Sequence, residues 1–122
     1  MMIQEEKQLL LKDLCARQPY GVKVEIDGYG THILKCIDGD TISTDRGINY
    51  PLRLVKPYLR QMPDIQDPLL NELDDLIANK KFYEITTISQ DWYNKHHFDY
   101  RGLIEKGLAL EAPEGMYETK TE

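Results

Sequence analysis

The sequence predicts an α+β fold, an N-terminal helix and small four-stranded antiparallel sheet or partial barrel followed by an acidic helical C-terminal half. Three observations lead there. The apolar period changes from helical to alternating after Gln18-Pro19. Tight-turn signals then recur at short intervals, at Asp27-Gly28, Asp38-Gly39 and Asp45-Arg46-Gly47. Charge also divides the chain: Met1–Gln61 carries nine Lys and Arg against eight Asp and Glu, Met62–Glu122 six against thirteen. A chain of 122 residues suits one domain, with lobes at 1–56 and 67–112 and a loose tail over 113–122.

The first element is a helix over Ile3–Arg17. Leu10, Leu11, Leu14 and Cys15 make one apolar stripe, opposite Glu5, Glu6, Lys12 and Asp13. Gln18 ends it, because the residue before a proline is pushed out of the helical region. In Gly21–Ile26, Val22, Val24 and Ile26 alternate with Lys23 and Glu25, the pattern of a strand with one buried face. Thr31–Ile37 is apolar on both faces, through Ile33, Leu34, Cys36 and Ile37, and reads as the central strand. Thr41–Thr44 is a short third strand. In Ile48–Val55, Ile48, Tyr50, Leu52 and Leu54 line one face, and Pro51, lacking an N–H, marks an edge strand or a bulge.

Lys56–Asp67, with Pro57 and Pro63, reads as the joint between lobes. Asp67-Pro68 then opens a helix reaching Lys81, with aspartate as cap, proline in the first turn and a stripe of Leu69, Leu70, Leu73, Leu76 and Ile77. Phe82–Ile88 alternates loosely, as one more strand would, before a short helix through Lys95. Asp99 caps a last helix through Lys106, closed by Gly107 in the left-handed conformation. Leu108–Leu110 is a final apolar patch.

Several function classes are disfavoured. No apolar run is long enough for a membrane span, and the acidic N-terminal residues are unlike a secretory signal, so a cytoplasmic protein is expected. Cys15 and Cys36 form no C-x-x-C pair and read as two buried, inert thiols. His96 and His97 are adjacent rather than four apart, so with Asp91, Asp99 and His32 they match no metal-ligand spacing, and no metal or cofactor is expected. Ser43 and Ser89 have no nucleophile elbow around them. The reading is not an enzyme.

The candidate site lies in Asp91–Met116, which gathers the only tryptophan, Trp92, with Tyr93, Phe98, Tyr100 and two of three histidines. Such density is a packed anchor or a recognition surface. As a recognition surface for another protein it consists of Asp91, Tyr93, His96, His97, Asp99, Tyr100 and Glu105, aromatic groups within an acidic rim. The expectation is Trp92 inside and part of the Tyr93–His97 side outside. The alternative is a small barrel binding single-stranded nucleic acid or RNA through Arg53, Lys56, Tyr58 and Arg60, where basic groups and rings interleave.

The segments KDLCAR at Lys12–Arg17, PYGVKVEI at Pro19–Ile26, YPLRLVKPYLRQM at Tyr50–Met62 and above all DWYNKHHFDYRGLIEKGLALEAPEGMY at Asp91–Tyr117 carry a resemblance over nearly the whole chain. It resembles a family of small proteins common in phages and mobile elements of gut Bacteroidota. Pro63–Ala78 departs from that family's pattern, which there tends to run Met-Thr and then several glutamates, so partner specificity is the property this departure touches. The resemblance implies no activity. It implies a setting, a phage-borne protein in a bacterial host cytosol, where small acidic non-enzymes bind host proteins or ribonucleoproteins. Inhibition of a defence nuclease such as a CRISPR effector follows by analogy with that setting.

Overall fold

The computed structural model describes residues 3–64 and 66–117. Helix α1 runs over Gln4–Arg17, where the Glu6 carboxylate accepts the Ile3 backbone N–H at 3.2 Å and so covers one free donor of the first turn. Its buried face is Leu10, Asp13, Leu14 and Arg17, spaced i, i+3, i+4 and i+7. The apolar stripe therefore lies closer to Asp13 than expected, and Cys15 is exposed. Asp13 enters the interior because Arg17, one turn on, neutralises it: Arg17 Nε donates to Asp13 Oδ2 at 2.9 Å, and both side chains are fully buried.

After a 3-10 turn at Gln18–Tyr20 come β1 (Lys23–Ile26), β2 (Gly30–Asp38), β3 (Thr41–Thr44) and β4 (Asn49–Pro51). A second 3-10 turn, Leu52–Leu54, leads into β5 (Val55–Leu59), and β6 (Leu110–Glu111) closes the described sheet. The order is β4-β3-β2-β1-β5-β6, antiparallel except for the β5–β6 pair. The sheet has six strands rather than four, is mixed, and stays open instead of closing as a barrel. As expected of its position, β2 is interior: it pairs β1 from Lys23↔Ile33 to Ile26↔Gly30 and β3 from Leu34↔Thr44 to Asp38↔Thr41. The β2–β3 pairing shifts register between Leu34 and Cys36, and Cys36 is exposed. Both thiols are thus free and at the surface, contrary to their apolar sequence contexts.

Pro51 does sit on an edge strand, since β4 pairs only with β3. The strand ends there, however, and Ile48 is exposed while Tyr50 and Leu52 are buried. The expected joint begins instead as β5, where Val55, Pro57 and Leu59 point inward and the strand pairs with β1 through Ile26↔Val55 and Val24↔Pro57 and with β6 through Leu59↔Glu111. Proline content masked an alternation that the neighbouring strand accommodates.

Helix α2 is shorter than expected, Leu70–Ile77, with Asp67 Oδ1 accepting the Leu69 N–H at 3.0 Å ahead of it and Asn79 left-handed behind it, at φ 64°. Helix α3 covers Phe82–Lys95 without a break, so the expected strand over Phe82–Ile88 does not form. The half-buried Ile85 and Ile88 recur with the buried Trp92 at i, i+3 and i+7, and this longer helical period prevails over the β-branched residues between them. The helix expected over Asp99–Lys106 is a series of turns, because Gly102 takes φ 74° within it. Asp99 still caps: Oδ1 accepts the Leu103 N–H at 2.8 Å and Oδ2 the Ile104 N–H at 3.0 Å. Gly107 is left-handed as expected, at φ 77°.

The main core lies between α1 and the sheet and also takes in Leu103, Leu108 and Ala109 from the returning segment. A smaller cluster, Leu73, Trp92 and Phe98, holds α2 against α3. Arg17 links the two, donating from Nη1 to Tyr93 O and from Nη2 to Phe98 O. In place of a loose tail, Tyr117 accepts the Lys23 N–H at 2.7 Å and donates to Tyr58 O at 2.8 Å. The remaining tail residues, 118–122, lie outside the described part.

Truncating one partner of a buried ion pair strands the other charge, so Arg17→Met should cost roughly 3–5 kcal/mol in urea unfolding. A loss below about 0.5 kcal/mol would show that the pair does not carry the junction. Gly107→Val places a β-branched residue at a left-handed angle and should cost roughly 1–2 kcal/mol, whereas Lys106→Ala should leave the midpoint unchanged.

Candidate functional site

The ring-rich stretch is mostly interior. Trp92 is 3% exposed, stacked on Phe98 with centroids 5.6 Å apart and tilted against His96 at 4.6 Å. Tyr93 and Tyr100, half-buried, pack together at 5.4 Å, and the Tyr100 hydroxyl donates to Asn94 Oδ1. The Arg101 guanidinium lies 4.6 Å from the Tyr100 ring centroid and bonds Asp13 Oδ1 at 2.7 Å. Asp99 is buried as a cap.

His97, expected on the outer side, is only 5% exposed. It adopts φ 62°, which turns the chain out of α3 so that Phe98 bridges Arg60. Its ring stacks on Tyr117 at 4.0 Å, and its buried Nδ1 has no hydrogen-bond partner. Burial, helped by the nearby Arg17 charge, pushes its pKa down to about 3. His96 is half-buried, and burial lowers its pKa too, against the opposing pull of Glu72. Burial likewise raises the Tyr117 hydroxyl.

Of the seven residues proposed for partner binding, then, His97 and Asp99 are interior, and Tyr93, His96 and Tyr100 present only partial edges. Asp91 and Glu105 are exposed but belong to α3 and to the later turns respectively. The density of rings reflected a clamp at the end of α3, where few residues must fill the angle between two helices and the sheet.

A different surface stands next to it. Between α2 and α3 runs a groove of about 310 Å3 with apolar walls from Tyr20, Leu76, Ile88 and Trp92, bordered by Glu72, Asp91 and Lys95. Glu72 is held in place: Oε1 accepts from Trp92 Nε1 at 2.7 Å and lies 3.2 Å from His96 Nε2. The Trp92 bond, with help from His96, keeps its carboxyl below the usual range. At the start of α3, Phe82 and Tyr83 are 86% and 68% exposed. Sequence reasoning missed Phe82, Tyr83 and this groove. Placing Ile85, Ile88 and Trp92 on one helical stripe would have left Tyr83 off it and thus facing solvent.

The basic stretch is spoken for in part. Lys56 and Tyr58 do share the outward face of β5, and Arg60 follows one residue past its end. Tyr58 donates to Glu25 Oε1 at 2.8 Å, a bond that raises its own pKa. The Arg60 guanidinium lies 4.4 Å from the Phe98 ring centroid. Arg53 and Lys56 border a hollow they share with Glu25 and Asp27. Among the described residues, no three His, Cys, Asp or Glu side chains form a group able to hold a metal, and His32 is engaged elsewhere, with Thr44 Oγ1 at 2.9 Å. No helix of the described residues is long and apolar enough to cross a membrane.

Comparison of the chain with protein-family models, with curated proteins and with solved structures finds no match.

The buried His97 yields a pH prediction. It stays neutral in the folded chain but titrates near its ordinary value of 6.5 once unfolded. Below that pH the unfolded chain binds more protons, so stability is full above about pH 6.5 and falls as pH drops towards about 3, by up to about 1.4 kcal/mol per unit. His96 adds in the same direction. His97→Asn tolerates the left-handed angle and does not titrate, so urea unfolding between pH 6.5 and 5 should show a flatter slope in this variant. An unchanged slope would remove His97 as the cause.

Proposed function

We propose that the protein is a non-enzymatic protein-binding module, and that α2 and α3 present its binding surface. The observation that carries this reading is the pair Phe82 and Tyr83, exposed side by side at the start of α3. These are the two most exposed large rings of the described residues, ahead of Tyr29 and Tyr20, and two neighbouring rings left in water supply contact area at low entropic cost. Around them the chain is acidic: residues 64–95 hold seven Asp and Glu against three Lys. That balance repels phosphate backbones and suits a basic protein surface. In the phage setting implied by the resemblance, basic host surfaces include those of nucleic-acid-binding proteins and ribonucleoproteins, and a defence nuclease such as a CRISPR effector is the partner class proposed. Action in the host cytoplasm belongs to the same proposal.

Of the expected partner-binding residues, Asp91 remains part of this surface, and His96 contributes through Glu72. The nucleic-acid reading draws support from Lys56 and Tyr58 sharing one strand face, but Glu25 and Asp27 lie beside them and compete with phosphate. Salt-sensitive binding of a single-stranded oligonucleotide, lost on Lys56→Ala, would favour it.

Phe82→Ala with Tyr83→Ala should shift the unfolding midpoint by less than about 0.5 kcal/mol equivalent, since neither ring is packed. The same pair should abolish capture, from host lysate, of a partner retained by the unaltered chain. Equal capture by both chains would place the binding surface elsewhere.

A further inference from the structure

We infer that the groove between α2 and α3 seats an arginine side chain from a basic segment of a partner protein. The inference rests on the reading of α2 and α3 as the binding surface, and it names the chemistry recognised there. Glu72 is the anchor. Its carboxylate is charged and oriented before any partner arrives, because Trp92 Nε1–H and the His96 ring occupy Oε1. Neither contact engages Oε2. Asp91 supplies a second carboxylate on the same groove, and Lys95 offsets only one of the two. A guanidinium offers five N–H donors in a planar fork, which suits two separated carboxylates better than the single point of an ammonium.

The walls fit the rest of the side chain. Tyr20, Leu76 and Ile88 are apolar and would cover the three methylenes of an arginine stem or an adjacent aliphatic residue, while the charged head stays at the carboxylates. Tyr20 and Leu76 are among the exposed large apolar residues of the chain, so their burial by a partner removes apolar surface from water. An acidic or neutral partner segment would leave Glu72 and Asp91 facing no counter-charge. The surplus of carboxylates across both helices adds long-range attraction for a basic segment.

Trp92, the only tryptophan, borders the groove and reports its occupation by fluorescence. The probe is an acetylated, amidated hexapeptide of alternating leucine and arginine. Its citrulline counterpart has nearly the same shape and no charge. The arginine peptide should shift Trp92 emission and bind by calorimetry, and the citrulline peptide should bind at least about tenfold more weakly. Glu72→Gln with Asp91→Asn should weaken the arginine peptide about tenfold, and the glutamine keeps an acceptor for Trp92 Nε1–H. Asp74→Asn with Asp75→Asn removes equal charge from exposed positions of α2 and should change affinity less than about twofold. Leu76→Arg fills the groove with a cation from an already exposed position and should abolish binding without relying on the Glu72 variant folding.

Equal binding of the citrulline peptide, or an equal loss in the Asp74/Asp75 variant, overturns the proposal. So does self-association that the Glu72/Asp91 variant abolishes, which would assign the groove to a second copy of the chain. Partner capture that needs Phe82 and Tyr83 but survives Glu72→Gln with Asp91→Asn overturns the arginine anchor alone and leaves the protein-binding reading standing. No peptide binding and no Phe82-dependent capture together overturn both.

Discussion

The buried guanidinium of Arg17 is the interaction on which the rest of the structure depends. It stands at the last turn of α1 with no exposed surface, and it reaches three places at once: Asp13 on its own helix, the Tyr93 carbonyl near the end of α3, and the Phe98 carbonyl beyond it. Asp13 passes the connection on to Arg101. One cation therefore ties the helix that covers the sheet to the turn that carries the second core. Taking such a charge out of water costs several kcal/mol unless its donors are met. Here each of these three directions is met by an oxygen fixed in the backbone or paired on the helix, which sets where α3 must end.

The path of the chain after α3 follows from that anchor. His97 takes a left-handed angle that reverses the backbone, so that Arg60 N–H reaches His97 O and Asp99 N–H reaches Arg60 O. Phe98 is turned in against Trp92, and the chain returns to the sheet as β6. Tyr117 then covers the His97 ring and joins Lys23 of β1 to Tyr58 of β5 through one hydroxyl. The cost of this arrangement is a neutral, partly unpartnered imidazole in a strained conformation, held because packing on both sides leaves the ring no other place.

What remains outward divides by charge. On the sheet, Glu25 and Asp27 stand among Arg53, Lys56 and Tyr58, so basic groups are partly compensated within the fold. On α2 and α3, carboxylates prevail and two rings are left in water. The functional reading rests on that contrast: one face is largely satisfied internally, whereas the other has unspent apolar area and unspent charge.

Local pattern alone determined a good part of the architecture. The limits of α1, the alternation in β1, the interior position of β2, Pro51 at an edge, Asp99 as a cap and Gly107 as a left-handed stop each depend on near neighbours in sequence, through period, turn chemistry or a missing N–H. The sequence also set the acidity of residues 64–95. Tertiary structure decided the rest, because the deciding partners are distant along the chain. Asp13 is interior only through an arginine that must also find carbonyls roughly eighty residues away. Phe82–Ile88 is helical because Ile85 and Ile88 continue the face on which Trp92 packs. Cys15 and Cys36 are exposed because a helix rotates towards an ion pair and a strand shifts register. On an ideal helix part of the Tyr93–His97 side reads as outward, yet a left-handed turn and Tyr117 bury His97. Sequence spacing measures faces of regular elements, and a site that lies where elements meet is set by contacts that spacing does not encode.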